Sequence, residues 1–245
     1  MRVPLAGQLL DAWERGASET PTRRALSLLA IAQPQLSEGE LAALPIGRRD
    51  EQLLQLRERL FGSQLLLVVP CPRCGQPLES QVRVDDLACD HVEPEAASYV
   101  AECHGHLVTF RLPASNDLMA LSHDGDAGAC RAHLIDRCLL EVRDSHGQQR
   151  AVSQLSDEVL ADICRKMEQA DPAADMELAF TCPACGSHWQ EMFDIASFLW
   201  REIHAWAQRT LRDVHILARA YGWPEADVLA LSPTRRQIYL ELCRQ

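Results

Sequence analysis

The sequence predicts a mostly helical α+β chain organised around a split zinc ribbon. Two β-hairpins would share one four-cysteine zinc site, with an α/β region inserted between them and a long helix after them. Three observations carry this. The knuckle Cys71-Pro72-Arg73-Cys74-Gly75 is repeated as Cys182-Pro183-Ala184-Cys185-Gly186, with 107 residues between Cys74 and Cys182. Each copy lies between apolar, strand-like residues. After the second, Ile195, Phe198, Leu199, Ile203, Trp206, Leu211, Val214, Leu217 and Ala218 recur at the spacing of one helix face.

The N-terminal part, 1–62, reads as helical. Leu5, Leu9, Leu10 and Trp13 share a helical face over Leu5–Arg15. Thr20-Pro21 is a cap followed by proline at the first helical position, opening a helix that Pro34 stops. Ser37–Leu44 is a short capped helix, and Leu44-Pro45-Ile46-Gly47 reads as a break. Asp50 is then expected to cap a helix over Glu51–Phe61, ended by Gly62.

Residues 63–85 form the first half of the ribbon. Leu65–Val69 is a continuous apolar run and reads as a buried strand. Leu78–Val84 is the return strand. The inserted region, 86–175, starts with a polar connection. A second hairpin follows over Tyr99–Glu102 and Leu107–Leu112, turning at Cys103-His104-Gly105-His106. Ser115-Asn116-Asp117 caps a helix near Leu118–Ser122, and His123–Ala129 is a loop or a frayed helix end. Cys130–Val142 reads as a helix. Ser156 or Asp157 starts another that ends at Ala170-Asp171-Pro172. The second half of the ribbon, 176–193, pairs Met176–Phe180 with Trp189–Phe193. In the C-terminal region, 194–245, Asp194 caps the long helix Ile195–Tyr221, Gly222 stops it, and Ser232-Pro233 starts the last helix. A shared metal would make these parts one composite domain.

Two thiolates two residues apart can hold one metal from a tight turn, and two such turns complete a tetrahedral shell. Cys71, Cys74, Cys182 and Cys185 are therefore the expected ligands of one structural Zn²⁺. A redox role fits poorly, because a thioredoxin-type pair needs a helix immediately after it. Other ligand sets stay open: Cys89 and His91, or Cys103, His104 and His106, beside the first knuckle, and His188 beside the second. Cys130, Cys138, Cys164 and Cys243 read as small core residues, and His204 and His215 as ordinary helix residues. Trp189, Trp200, Trp206 and Trp223 read as packing residues, and Trp200, which falls off the main stripe, is also a candidate for a partner surface.

Composition narrows the function. The formal charge is −11, which repels phosphate backbones and disfavours nucleic acid as a partner. A zinc-ribbon nucleic-acid-binding or regulatory protein is the alternative reading. Against it, the ribbon strands and their flanks carry Glu79, Asp85, Asp86, Glu177, Glu191 and Asp194 against Arg73 and Arg83. No run approaches the roughly 18 apolar residues of a membrane span. The N-terminal segment reads as no export signal, so ten cysteines fit a reducing cytoplasm. The sequence holds no phosphate-binding glycine loop and no nucleophile elbow. A fully thiolate-ligated zinc would leave no position for a reacting water, so no enzyme is expected.

The C-terminal third adds a resemblance. Phe193–Trp200, Val214-His215, Ala218–Trp223, Ala230–Arg236 and Tyr239-Leu240 are similar to the tail of the baseplate hub assembly chaperones of contractile phages and extracellular contractile injection systems. Paired C-P-x-C-G knuckles flanking a middle region resemble the injection-system members, as does Arg57–Gly62 before the first knuckle. The resemblance implies a bacterial, cytoplasmic, non-enzymatic assembly factor or minor baseplate component. Its partners would be hub or other injection-system proteins. Trp200, Trp223, Arg235, Arg236 and Tyr239 are the candidate contact face.

Overall fold

The computed structural model describes residues 1–87, 97–121 and 126–243. In chain order it contains α1 (Ala6–Gly16), α2 (Pro21–Ala32), α3 (Glu38–Ala43), α4 (Ile46–Phe61), β1 (Gln64–Pro70), β2 (Pro77–Arg83), β3 (Tyr99–Cys103), β4 (His106–Phe110), α5 (Ser115–Met119), α6 (Ala127–Cys138), β5 (Leu139–Arg143), α7 (Asp157–Ala170), β6 (Glu177–Thr181), β7 (His188–Met192), α8 (Ile195–Tyr221), α9 (Glu225–Ala230) and α10 (Pro233–Leu242). Single 3₁₀ turns cover Val84–Leu87, Val152–Gln154 and Pro172–Ala174. The sheets are small and antiparallel: β1–β2, β3–β4–β5 and β6–β7.

Three helix starts that are decided locally fall where the sequence puts them. Thr20, Ser156 and Ser232 each accept a hydrogen bond from the backbone N–H three residues on, and Pro21 and Pro233 occupy first-turn positions. The β3–β4 turn is a tight one. His104 and Gly105 both have positive φ, the conformation that matches the twist of a two-residue hairpin loop.

Three expectations are corrected. First, α4 begins at Ile46, not after Asp50. Pro45 takes the cap position, and the first amides find distant acceptors: Ile46 N–H on Pro113 O, and Gly47 N–H on the Asp171 carboxylate. Asp50 is instead buried one residue from Arg49, whose Nε donates to it at 2.7 Å. Burial raises the Asp50 carboxyl, against the pull of Arg49, and Asp194 and Asp171 push the same way. Second, the helix expected to reach Val142 stops at Cys138. Leu139–Arg143 is a third strand beside β4, with a register shift between Thr109 and Phe110. Third, β1 is buried on one face alone. Leu65 and Leu67 point inward, while Leu66 and Val68 are exposed. Of the loop expected at 123–129, residues 123–125 lie outside the described residues, as does Arg244, whereas 127–129 open α6, because Asp126 caps it by accepting the Ala129 N–H.

The chain forms two compact units. Met1–Glu38 joins Ile195–Gln245 in the first, and Gly39–Asp194 is the second. In the first unit α1 and α2 pack on α8. Trp200 lies against Gly16, and the Arg24 guanidinium sits 4.7 Å from its ring while donating to Gly16 O. Trp13 Nε1–H donates to His204 Nδ1. Further along α8, Val214 and Leu217 bury Val228 and Leu240. In the second unit α7 lays Val159, Ile163 and Met167 on the inner face of β3–β4–β5, against Cys103, Val108, Phe110 and Val142. Both two-stranded hairpins belong to this second unit.

Candidate metal centre

Each knuckle is built by its own hairpin. Between β1 and β2, where Pro70 faces Pro77, Cys71 N–H donates to Gln76 O and Gly75 N–H donates to Cys71 O. Between β6 and β7, where Thr181 faces His188, Cys182 N–H donates to Ser187 O and Gly186 N–H donates to Cys182 O. Gly75 and Gly186 take φ of 72° and 69°, a conformation that costs glycine nothing. The two turns are thus the same object, made twice from the same five-residue pattern.

The fold brings them face to face. The Sγ atoms of Cys71, Cys74, Cys182 and Cys185 all lie within 4.8 Å of one another. The first cysteine of each knuckle meets the second of the other: Cys71 to Cys185 and Cys74 to Cys182 are both 3.7 Å apart. A disulfide would need sulfurs about 2.05 Å apart, so all four are free thiols. A tetrahedral shell with Zn–S of about 2.3 Å has edges of about 3.8 Å, so the spacing fits a four-sulfur metal shell. Cys71 and Cys182 are buried, Cys185 is half-buried and Cys74 is exposed.

Electrostatics favour a cation there. Burial raises the Cys71 thiol, but N–H groups of Cys74 and Arg73 and the thiols of Cys74 and Cys185 outweigh it and bring it down to about 7. At Cys74 the Gln76 backbone hydrogen bond lowers the value. Burial and the sulfurs of Cys185, Cys71 and Cys182 more than reverse this and push it up to about 12. The four therefore titrate as a set: one thiolate forms near neutrality, and the next meets a charge already present. A divalent ion removes that conflict.

Among the described residues this is the one group of three or more potential ligands placed to hold an ion. His188 joins Thr181 Oγ1 through Nδ1 at 2.9 Å and is not in the cluster. Cys103 is buried, which raises its thiol, and Asp162 raises it further. His106 Nδ1 meets the carbonyl of His104 within its own turn. Cys89 and His91 lie outside the described residues.

The five residues expected at a partner surface do not form one exposed face. Trp200 is 9 % exposed and Arg236 is 8 % exposed. The apparent mismatch of Trp200 with the helical stripe is met by Gly16 and Arg24, which give it a pocket in the first unit. Trp223 and Tyr239 are half-buried and pack edge to face, with Tyr221 stacked on Trp223. Arg235 alone of the five is exposed. The sequence reading also missed the Gly47–Asp171 contact, whose only trace is a glycine placed where a helix begins.

No helix among the described residues is long and apolar enough to cross a membrane. No curated protein and no solved structure matches the chain. The family model described as T4 bacteriophage base plate protein matches residues 28–200. That span covers well over half of the chain and contains both knuckles and the whole of the second unit. The chain belongs to the T4 bacteriophage base plate protein family.

Proposed function

We propose that this protein is a non-enzymatic assembly factor or minor hub component of the baseplate of a phage-tail-like contractile injection system, and that one structural Zn²⁺ holds its two knuckles together. The observation that carries the reading is the baseplate-family match across 28–200, in which all four clustered cysteines fall. Cys71, Cys74, Cys182 and Cys185 would hold the ion, and the zinc would supply cross-linking between β1–β2 and β6–β7. Four thiolates close the shell, so the ion has no open position for water and no catalytic part. The acidic charge suits protein partners better than nucleic acid.

An assembly factor binds an exposed face of a hub subunit and gives it up when the permanent neighbour arrives, a mass-action exchange. The protein would act in the bacterial cytoplasm, where particles are assembled. Arg235, with the exposed edges of Trp223 and Tyr239, is the remaining candidate contact from the resemblance. The test is co-expression with the baseplate hub proteins of the same organism, followed by capture of the hub protein and analysis of purified particles. Hub capture that Arg235→Glu weakens, with zinc content unchanged, supports the reading. Normal particle assembly in cells lacking the gene overturns it.

A further inference from the structure

We propose that the outer edge of β1 is a docking site for an extended, basic, alternately apolar segment of a partner protein, which adds to the β1–β2 hairpin as a third strand. Along β1 the exposed side chains are Gln64, Leu66, Val68 and Pro70, and Leu66 and Val68 are 65 % and 67 % exposed. Among the described residues β1 pairs with β2 alone, so its other edge carries unpaired backbone groups. Proteins usually guard such an edge with charge, proline or a bulge. Along Gln64–Val69 β1 has none of these: no charged residue occurs, its register with β2 is continuous, and its one proline, Pro70, stands at the knuckle end.

The twin hairpin is the internal control. It forms the same knuckle, yet its exposed residues on β6 and β7 include Glu177, Thr181, His188, Gln190 and Glu191, with Met192 at the end. The knuckle therefore does not need an apolar outer face, and Leu66 and Val68 require another reason.

Charge selects the occupant. Val68 and Leu66 face Glu79 and Gln81 on β2, and the nearby Arg83 is already paired with Asp85 at 2.9 Å. The uncompensated charge beside the apolar row is thus negative. An added strand would lie about 9–10 Å from β2, two strand spacings away, a gap that a lysine and Glu79 together span across Val68. A second copy of this chain would bring its own charge of −11 and the same uncharged β1, so a basic partner strand fits better. Main-chain pairing would give affinity, and the apolar row and Glu79 would set register and choice.

The proposal stands on the hairpin and is separable from the baseplate reading. The test uses the full-length protein with blocked peptides of alternating valine and lysine, or valine and glutamate, about eight residues long to match a strand. Valine–lysine peptide should slow amide exchange over 64–70 and bind about tenfold more tightly than valine–glutamate peptide. The double variant Leu66→Thr/Val68→Thr, which keeps β propensity at exposed sites, should weaken binding about tenfold or more with metal content unchanged. Equal binding of the two peptides, unaltered binding by the double variant, or no protection of 64–70 would overturn the proposal. So would protection of 64–70 by self-association without peptide, which would assign the edge to a second copy.

Discussion

Replacing Gly47 by alanine tests whether the fold, independently of any metal, sets the two knuckles at bonding distance. Gly47 lies in the first turn of α4, the helix that runs into β1. Asp171, which precedes the turn Pro172–Ala174 and then β6, accepts the Gly47 N–H at 3.0 Å across 124 residues of chain. A Cβ on Gly47 would stand 1.9 Å from Asp171 Oδ1, 2.7 Å from its Cγ and 2.8 Å from the backbone N of Ala174. Rotating the carboxylate would relieve the first two contacts but sacrifice the hydrogen bond in a buried site. The third is backbone and moves only if the 3₁₀ turn moves. Overpacking costs about 1–3 kcal/mol, and a hydrogen bond to a charged group about 1.5–3 kcal/mol. Alanine's helix propensity returns at most about 1 kcal/mol. The net loss is about 2–4 kcal/mol, which for a chain of this size lowers Tm by about 5–15 °C. Thermal and urea unfolding would read the stability, and competition with a chromophoric chelator would read the metal. Zinc should be held more weakly, because the displaced turn feeds the second knuckle. In the double variant Gly47→Ala/Asp171→Ala the two losses should fall short of additivity by at least about 1 kcal/mol, since the contacts with the carboxylate are gone and the Ala174 contact alone remains. A loss below about 0.5 kcal/mol on the scale of ordinary surface substitutions, or destabilisation with unchanged zinc affinity, would refute the reasoning.

Zinc affinity should rise with pH above neutrality. Cys74 in the metal-free cluster sits at about 12 and must give up a proton to bind, so each proton released adds up to about tenfold per pH unit. A flat profile between pH 7 and 8.5, about the range of a free thiol, would count against a four-thiolate shell, as would one zinc retained per chain in Cys182→Ser. Asp117 is buried and would be raised by that burial, but hydrogen bonds from Arg111, the Ala114 N–H and Arg137 outweigh it and hold the carboxyl down at about 2. Its folded value is depressed, so the stabilisation is present above the unfolded value of 3.8 and disappears as pH falls toward 2. Urea unfolding should show about 2 kcal/mol lost across that window, and Asp117→Ala should cost about 3–5 kcal/mol at pH 7. In the first unit, Gly16→Ala puts a Cβ 2.4 Å from the Trp200 ring. It should destabilise by about 1–3 kcal/mol, with a shifted tryptophan emission and no change in metal content.

The sequence alone determined whatever depends on neighbours within a few residues. Thr20, Ser156 and Ser232 cap helices through amides three residues away, and the glycines that end each knuckle answer a local need for positive φ. The long helix runs Ile195–Tyr221 as its apolar spacing requires. The repeated C-P-x-C-G pattern marked the four clustered sulfurs because the same turn, made twice, has the same hydrogen bonds. Tertiary structure decided what depends on distant partners. Helix α4 starts at Ile46 because Pro113 and Asp171 receive its first amides. Leu139–Arg143 is a strand because β4 offers it an edge, although its apolar residues continue the spacing of the helix before it. Trp200 is inside because Gly16 leaves room for its ring. Leu66 and Val68 are outside because a two-stranded hairpin has one face to bury, which an unbroken apolar run does not reveal. A short-range bond is written in adjacent letters, whereas burial and edge pairing are set by surfaces that the chain assembles only on folding.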